Sequence, residues 1–383
     1  MEPYLPNYLK GKNRRLVFDL LRERGQMSRA EITRDTGMSF PTAMKVVDAF
    51  LEKGLLVELD ETGPAAGAGR KGRLLRFEPG AYRAVGVECE GRFARVGLAD
   101  MAGGVQARET IERGDFARTR DLSPLAAAIR RMCAAANGAP VLGVCIGFPA
   151  NLDPDAAAIV SYAAMDIQQP TSFAQVFPAF WREVELPVYL ENDANLACEG
   201  EAFLRRGAGG AANMLYLSIG SGCGGAVRLD GKLRRGARCR AGEVGAMLLQ
   251  PALGAPGRSA ARETLEDAVC LAALERRFGA ALRDGAQPGE ASAQAMRDYL
   301  CGPLSGAVYS LVMTLDVELC VLAGIVPGAL GMQLCTQVSE ALRAALPEST
   351  PVRVEPSVSA DAGVIGAAAT VFERSLDALL GSG

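Results

Sequence analysis

After Arg14, the apolar residues Leu16, Val17, Leu20 and Leu21 recur at helical spacing, and Gly25 breaks the run. Ser28 is followed three residues later by Glu31, the reciprocal pair that opens a helix. That spacing predicts a short helix from residue 29 to about 36, stopped by Gly37. Ser39 caps a second, longer helix, with Pro41 tolerated in its first turn. Ala43, Val47, Phe50 and Gly54 give the second helix one inward face. Two short helices joined by a glycine-containing turn make a helix-turn-helix. Residues 55–58 and 73–77 read as two strands separated by the segment ETGPAAGAGRKG, a wing. From Tyr82 onward the pattern changes. AVGVECEGRFARVGLAD reads as strand, tight turn and strand, and VLGVCIGF, PVYLEND, NMLYLSIGSG and ELCVLAGI as later strands between Ala-rich helical segments. Strands alternating with helices indicate an α/β body. Its glycines cluster at strand ends, where such folds bind ligands.

The outward face of the second helix carries Phe40, Pro41, Met44, Lys45 and Asp48. Placed in a DNA major groove, such a helix brings its N-terminal residues to base edges. Ser39 and Thr42 lie at that end. Phe40 and Met44 suit thymine methyls, and Lys45 a guanine edge or a phosphate. The competing assignment packs Phe40 and Met44 under a neighbouring element. Arg70, Lys71 and Arg73 cluster at the basic end of the wing, placed either for phosphates and a minor groove or as a solvated hairpin.

Composition narrows the picture. The chain has 383 residues, room for two or three domains, with 49% hydrophobic and 22% charged residues. Its most apolar stretch, 308–330, contains Asp316 and Glu318, and the N-terminus has no apolar segment behind its basic residues. Neither a membrane span nor a secretory signal is expected, which points to the cytoplasm. Residues 1–80 carry 14 Lys/Arg against 11 Asp/Glu, a net +3, which leaves −6 on the rest of a chain whose total is −3. A mildly basic head on an acidic body suits a nucleic-acid reader joined to a second unit. Ten cysteines scattered singly read as buried reduced thiols. The absence of histidine removes the commonest transition-metal ligand and general base.

The head segment SRAEITRDTGMSFPTAMKVVDAFLEKGLL, together with GFPANLD, ENDAN, IGSGCGGAVRLDGKLRRGARCRAGEVG and DAGVIGAA, resembles the ROK family of bacterial sugar kinases and sugar-responsive repressors. The likeness runs from about Asn13 to about Thr370. It implies an α/β fold of actin-like, two-lobed ribonuclease-H type, preceded here by a small winged helix-turn-helix domain, and assembly as a homodimer or homotetramer. The expected division is a DNA-binding domain at 1–78, a small lobe at 79–195 completed by a C-terminal helix at about 359–383, and a large lobe at 196–358.

By the same resemblance, Asn192, Asp193, Glu243 and Glu263 grip the hydroxyls of a sugar, and Asp193 occupies the position of the kinases' general base. Carboxylates and an amide converging on one cleft suit polyhydroxyl recognition, because each carboxylate accepts directional hydrogen bonds. Each also has a structural explanation: Asn192 as turn chemistry, Glu243 as a cap, Glu263 as a helix-start acid.

The departures from the family are equally telling. The kinases' phosphate loop reads Asp, any residue, Gly, Gly, Thr; this chain has Glu88, Cys89, Glu90, Gly91 and Arg92 there. Backbone amides that cradle phosphates need glycine, and Glu90 adds bulk and negative charge. Arg92 offsets the charge without restoring close approach. Gly220, Ser221 and Gly222 keep the second phosphate loop, while a further glycine pair reads Ala323 and Gly324. The family's zinc ligands are replaced by Ala246, Gly254, Pro256 and Ala261, none of which coordinates zinc. The expectation is a regulator, a repressor in the family's usual direction, with no cofactor and no kinase activity. It binds double-stranded operator DNA and a sugar or sugar derivative. Two alternatives stand: an active sugar kinase with a DNA-binding head, and a regulator controlled by a protein partner.

Overall fold

The computed structural model describes residues 6–62, 73–91, 93–112, 114–206, 210–249, 263–279, 282 and 288–380. The head begins with helix α1 (Pro6–Arg24), which buries Val17, Phe18 and Leu21 on one face. A short strand β1 (Gln26–Ser28) leads into α2 (Arg29–Thr36). Here Ser28 Oγ accepts the Glu31 N–H at 3.3 Å and the Glu31 carboxylate accepts the Ser28 N–H at 2.8 Å. Gly37, at φ 66°, ends the helix in the left-handed conformation that glycine adopts without penalty. Helix α3 (Phe40–Glu52) follows its Ser39 cap and buries Ala43, Val46, Val47 and Phe50. Strands β2 (Leu56–Thr62) and β3 (Arg73–Phe77) complete a three-stranded antiparallel sheet in the order β1-β3-β2. Phe18 meets Phe50 and Phe77 edge-on at 6.5 and 5.7 Å between ring centroids. Each such buried ring contributes about 1.5–3 kcal/mol. The wing tip with Arg70 and Lys71 lies outside the described residues.

The body holds two five-stranded sheets of one topology. In the first, β4 (Arg83–Glu90), β5 (Phe93–Asp100) and β6 (Val105–Glu112) form an antiparallel meander. Helix α4 (Ser123–Ala134) leads to β7 (Val141–Phe148), parallel to β4. A small sheet of β8 (Asn151–Asp153), β9 (Ala158–Ser161) and β10 (Thr171–Ser172) precedes β11 (Val188–Asn192), which pairs parallel with β7. Helix α5 (Asp193–Leu204) starts where β11 ends.

The second sheet repeats the plan. Its meander is β12 (Met214–Ile219), β13 (Cys223–Leu229) and β14 (Lys232–Leu233). The long helix α6 (Glu290–Leu315) leads to β15 (Leu319–Ala323), and α7 (Met332–Ala345) to β16 (Arg353–Pro356), both strands parallel to β12. The orders are β11-β7-β4-β5-β6 and β14-β13-β12-β15-β16, so in each sheet the strands stand fifth, fourth, first, second, third. The inner strands are apolar and buried on both faces; β15 reads LCVLA with every residue buried.

The last helix, α8 (Ala362–Leu379), returns to the first sheet and packs on β4, β7 and α5. It crosses α5 backbone against backbone. A Cβ on Gly200 would fall 1.8 Å from the Ala362 carbonyl oxygen, and one on Gly366 would fall 1.9 Å from that of Leu196. Only glycine permits that crossing.

Head and body share one apolar core, running from Val17, Phe18 and Phe50 through Ala84 and Met101 to Ala367, Val371, Phe372 and Leu376. Polar contacts surround it. Arg14 donates to the Leu380 carbonyl at 2.9 Å and Arg15 to that of Glu373 at 2.8 Å. The Arg22 guanidinium, whose pKa burial lowers, lies over the Phe18 and Phe203 rings. The Tyr82 hydroxyl donates to the Lys53 carbonyl at 2.9 Å.

Candidate functional site: an acidic cleft and an exposed helix face

A cleft of about 940 Å³ opens between the two sheets, where β7, β11, β12 and β13 present their loops. Asn192, Asp193 and Glu243 all line it, as does Ala246. Asn192 also caps α5: its Oδ1 accepts the Asn195 N–H at 3.1 Å and its Nδ2 donates to the Ala150 carbonyl at 3.3 Å. Asp193 Oδ1 accepts the Ala194 N–H at 2.9 Å. Glu263 is exposed and stands apart from the residues that line the cleft. Glu266, one turn further on, lines it instead. The capping box of the short helix Leu265–Val269, Thr264 with Asp267, fixes which acid turns inward.

Asn151 is a lining residue that the residue-type argument did not single out, although it lies in the GFPANLD motif. Its Nδ2 donates to Glu243 Oε1 at 2.6 Å and to the Cys239 carbonyl at 3.2 Å, and its Oδ1 accepts the Ser161 hydroxyl at 3.0 Å. Burial raises the Glu243 pKa; Arg240 opposes that rise and Glu266 adds to it. Glu191, the first residue of ENDAN, is buried and structural, bridging Arg235 at 2.6 Å and the Asn195 amide at 2.9 Å.

Carboxylates stand at the end of β4 and beside the β12–β13 turn. At the first place, Glu88 and Glu90 flank Arg95 of β5, whose NH2 lies 2.9 Å from an oxygen of each. Burial alone would lower the Arg95 pKa, but the two glutamates outweigh it and keep the guanidinium charged. Burial pushes Glu88 up to about 7 against the pull of Arg95, with Glu90 and Asp193 adding to the rise. The counter-charge to Glu90 thus comes from the neighbouring strand; Arg92 lies outside the described residues. Glu90 also crosses the cleft, where its Oε1 would stand 3.2 Å from a Cβ on Gly220. At the second, Glu266 of the helix Leu265–Val269 accepts the Cys223 N–H with its Oε2 at 2.8 Å and would stand 2.8 Å from a Cβ on Gly222. The amide following the glycine pair already has an anionic partner within the chain.

Gly254, Pro256 and Ala261 lie outside the described residues, and among the described residues no group of acids and cysteines is placed to hold a metal. All ten cysteines are free and seven are buried. No described helix is long and apolar enough to cross a membrane.

The second candidate surface is the head. Phe40 is 56% exposed, unusual for a phenylalanine, and Lys45 is likewise exposed on the N-terminal half of α3. The Ser39 and Thr42 hydroxyls are 2.8 Å apart, and Ser39 Oγ accepts the Thr42 N–H at 3.4 Å; both serve the cap. Met44 is half-buried and packs on the head's core, so its side chain is divided between core and surface. Arg73 pairs with Glu58 at 3.4 Å, a carboxylate it shares with Arg29. A DNA phosphate would compete with that pairing.

A likeness to the solved structure of a ROK family transcriptional regulator, a homolog of the E. coli MLC protein, covers 97% of this chain and 98% of that one at a TM-score of 0.75. At 17% identity it shows the fold, head included. Among curated proteins the chain is 27% identical over 241 residues to the xylose repressor of Caldicellulosiruptor bescii, spanning 62% of this chain and 58% of that protein. It is 34% identical over 141 residues to the glucokinase of Halalkalibacterium halodurans, spanning 35% and 40%. The chain therefore aligns with less than two thirds of the length of these relatives. Residues 84–374 match the ROK family as a whole, and the chain belongs to that family.

Proposed function

We propose that this protein is a DNA-binding transcriptional repressor of carbohydrate metabolism whose kinase-like body senses a sugar or sugar derivative. One observation carries the reading: a capped helix with Phe40 and Lys45 exposed shares a single apolar core with a body whose cleft gathers Asn151, Asn192, Asp193 and Glu243. The repressor relatives and the whole-chain likeness to a ROK regulator support it. The protein acts as a homodimer or homotetramer, two heads reading operator half-sites whose symmetry mirrors that of the pair. Sugar acts by binding one arrangement of the two lobes more tightly than the other. Asp193 serves as a hydrogen-bond acceptor and no proton transfer is required of it.

The test is selection of bound DNA from a random pool, followed by release of that DNA by added sugars. Asp193→Asn should abolish release while leaving sugar-free DNA affinity unchanged. Release that persists in this variant removes the cleft from the mechanism.

A second reading, a sugar kinase carrying a DNA-binding head, is favoured by the place of Asp193 in the cleft and by the glucokinase relative. Against it stand Glu90 on Gly220 and Glu266 on the Cys223 amide, each where a nucleotide phosphate would need bare backbone. A coupled assay for ATP consumption with a panel of hexoses separates the two. Turnover at an ordinary kinase rate would establish the kinase.

A further inference from the structure

The cleft has a surplus of hydrogen-bond acceptors and of negative charge. Glu88, Glu90, Asp166, Asp193, Glu243 and Glu266 line it, and Arg240 is the basic residue among the described lining groups. Arg240 is itself engaged, donating to the Ser161 hydroxyl at 3.2 Å and lying close enough to act on Glu243. Arg95 is held between Glu88 and Glu90. Several donors in the wall are engaged within the chain: Asn192 Nδ2 on Ala150, Asn151 Nδ2 on Glu243, and the Cys223 N–H on Glu266.

An independent observation points the same way. Asn195 lines the cleft, is 93% buried and donates its Nδ2 to Glu191, yet its Oδ1 finds no partner among the described residues. A buried acceptor without a donor is costly, and this one adds to the wall's excess of acceptors over donors.

We infer that the effector of this cleft is an unphosphorylated, donor-rich sugar, and that an amino sugar with a protonated amine binds it better than the neutral sugar of the same stereochemistry. The inference rests on the sugar-sensing reading above and adds the charge class of the ligand. Hydroxyl groups each bring one donor, and an ammonium brings three donors and no acceptor. The cation gains from the surrounding carboxylates at low local dielectric, while a phosphate or carboxylate would meet them as like charges. Glu266 and Glu90 are the principal excluders, since they lie where anions otherwise approach backbone amides.

The experiment is titration calorimetry on the full chain with matched triplets: glucose, glucosamine and glucose 6-phosphate, and the corresponding galactose and mannose series. In the series that binds, the amine should exceed the neutral sugar by at least ~3-fold and the 6-phosphate should fall at least ~10-fold below it, with both gaps narrowing at high salt. A 6-phosphate that binds as tightly as the neutral sugar, or an amine that binds more weakly, overturns the inference and leaves sugar sensing intact. Failure of every triplet to bind overturns the sugar-sensing reading itself, a distinct result. Glu266→Gln keeps an acceptor for the Cys223 N–H but removes the charge, and should narrow the gap between neutral and phosphorylated sugar several-fold. An unchanged gap in a folded variant overturns the role given to Glu266.

Discussion

Two joints divide this molecule, and they are built from opposite materials. Where head meets body, Phe18, Met101, Val371, Phe372 and Leu376 close a dry seam, helped by arginine side chains that reach across to carbonyl groups. Where lobe meets lobe, the surfaces are glycine and carboxylate, and about 940 Å³ stays open. Apolar contact is non-directional and is lost steeply when the surfaces separate. Across the gap the lobes meet through a few polar contacts, Glu191 with Arg235, Asn151 with Glu243 and Arg240 with Ser161, rather than through packed apolar surface. Directional contacts of that kind can be exchanged for a ligand or water in a way that a dry seam cannot.

The strongest break would come from the helix crossing beneath the first joint. Gly200→Val drives a side chain into the Ala362 carbonyl and should destabilise the fold by on the order of 5 kcal/mol, read by urea denaturation. Gly302→Ala, in a helix with open space around it, should be neutral or stabilising by comparison. Next in size is Phe18→Ala, expected to cost ~3–4 kcal/mol. Its denaturation curve should remain a single transition, because head and body share the core that is damaged. Two separated transitions in wild type or variant would show that the seam is weaker than its packing implies.

The cleft gives a smaller and pH-dependent effect. Glu88 titrates near 4.5 when unfolded and is pushed to about 7 in the fold, so the native state binds the extra proton between those values. The Glu88 contribution is then full below pH 4.5 and is lost as pH rises through 7, by about 3 kcal/mol. Glu88→Gln should flatten that slope in urea titrations from pH 4.5 to 8. A slope that survives assigns the proton elsewhere. The smallest effect is on DNA: Lys45→Ala should weaken binding by about 1 kcal/mol and lower the salt slope by about one. Unchanged affinity across a salt series would take Lys45 out of the interface.

The head was the most legible part of the sequence. Ser28, Glu31, Gly37 and Ser39 are local signals whose geometry depends on neighbours three residues away, and all four appear as read. Strand β1 escaped because three residues are too few to alternate. Strand β6 escaped for another reason: VQARETIE alternates half-buried with exposed residues, and its polar composition disguises a sheet edge. The doubled sheet order was accessible only through the family resemblance, since long-range pairing leaves no local trace.

In the cleft, the sequence reading gathered Asn192, Asp193 and Glu243, which share one cavity, but named Glu263 where Glu266 lines the wall; which acid faces inward depends on how the Thr264–Asp267 box turns the chain. Arg95 was equally hidden. It sits five residues from Glu90 along the chain, and only the β4–β5 hairpin places it between two carboxylates.

Helix α5 gives the contrast between the joints a practical outcome. Its first turn, at Asn192 and Asp193, forms part of the cleft wall, and its other end, about 18 Å away, carries Phe203 under the guanidinium of Arg22 in the head. On the proposed function, ligand and DNA-reading head would thus lean on opposite ends of one stiff rod. A nudge at the near end needs no relay through loops to be felt at the far one.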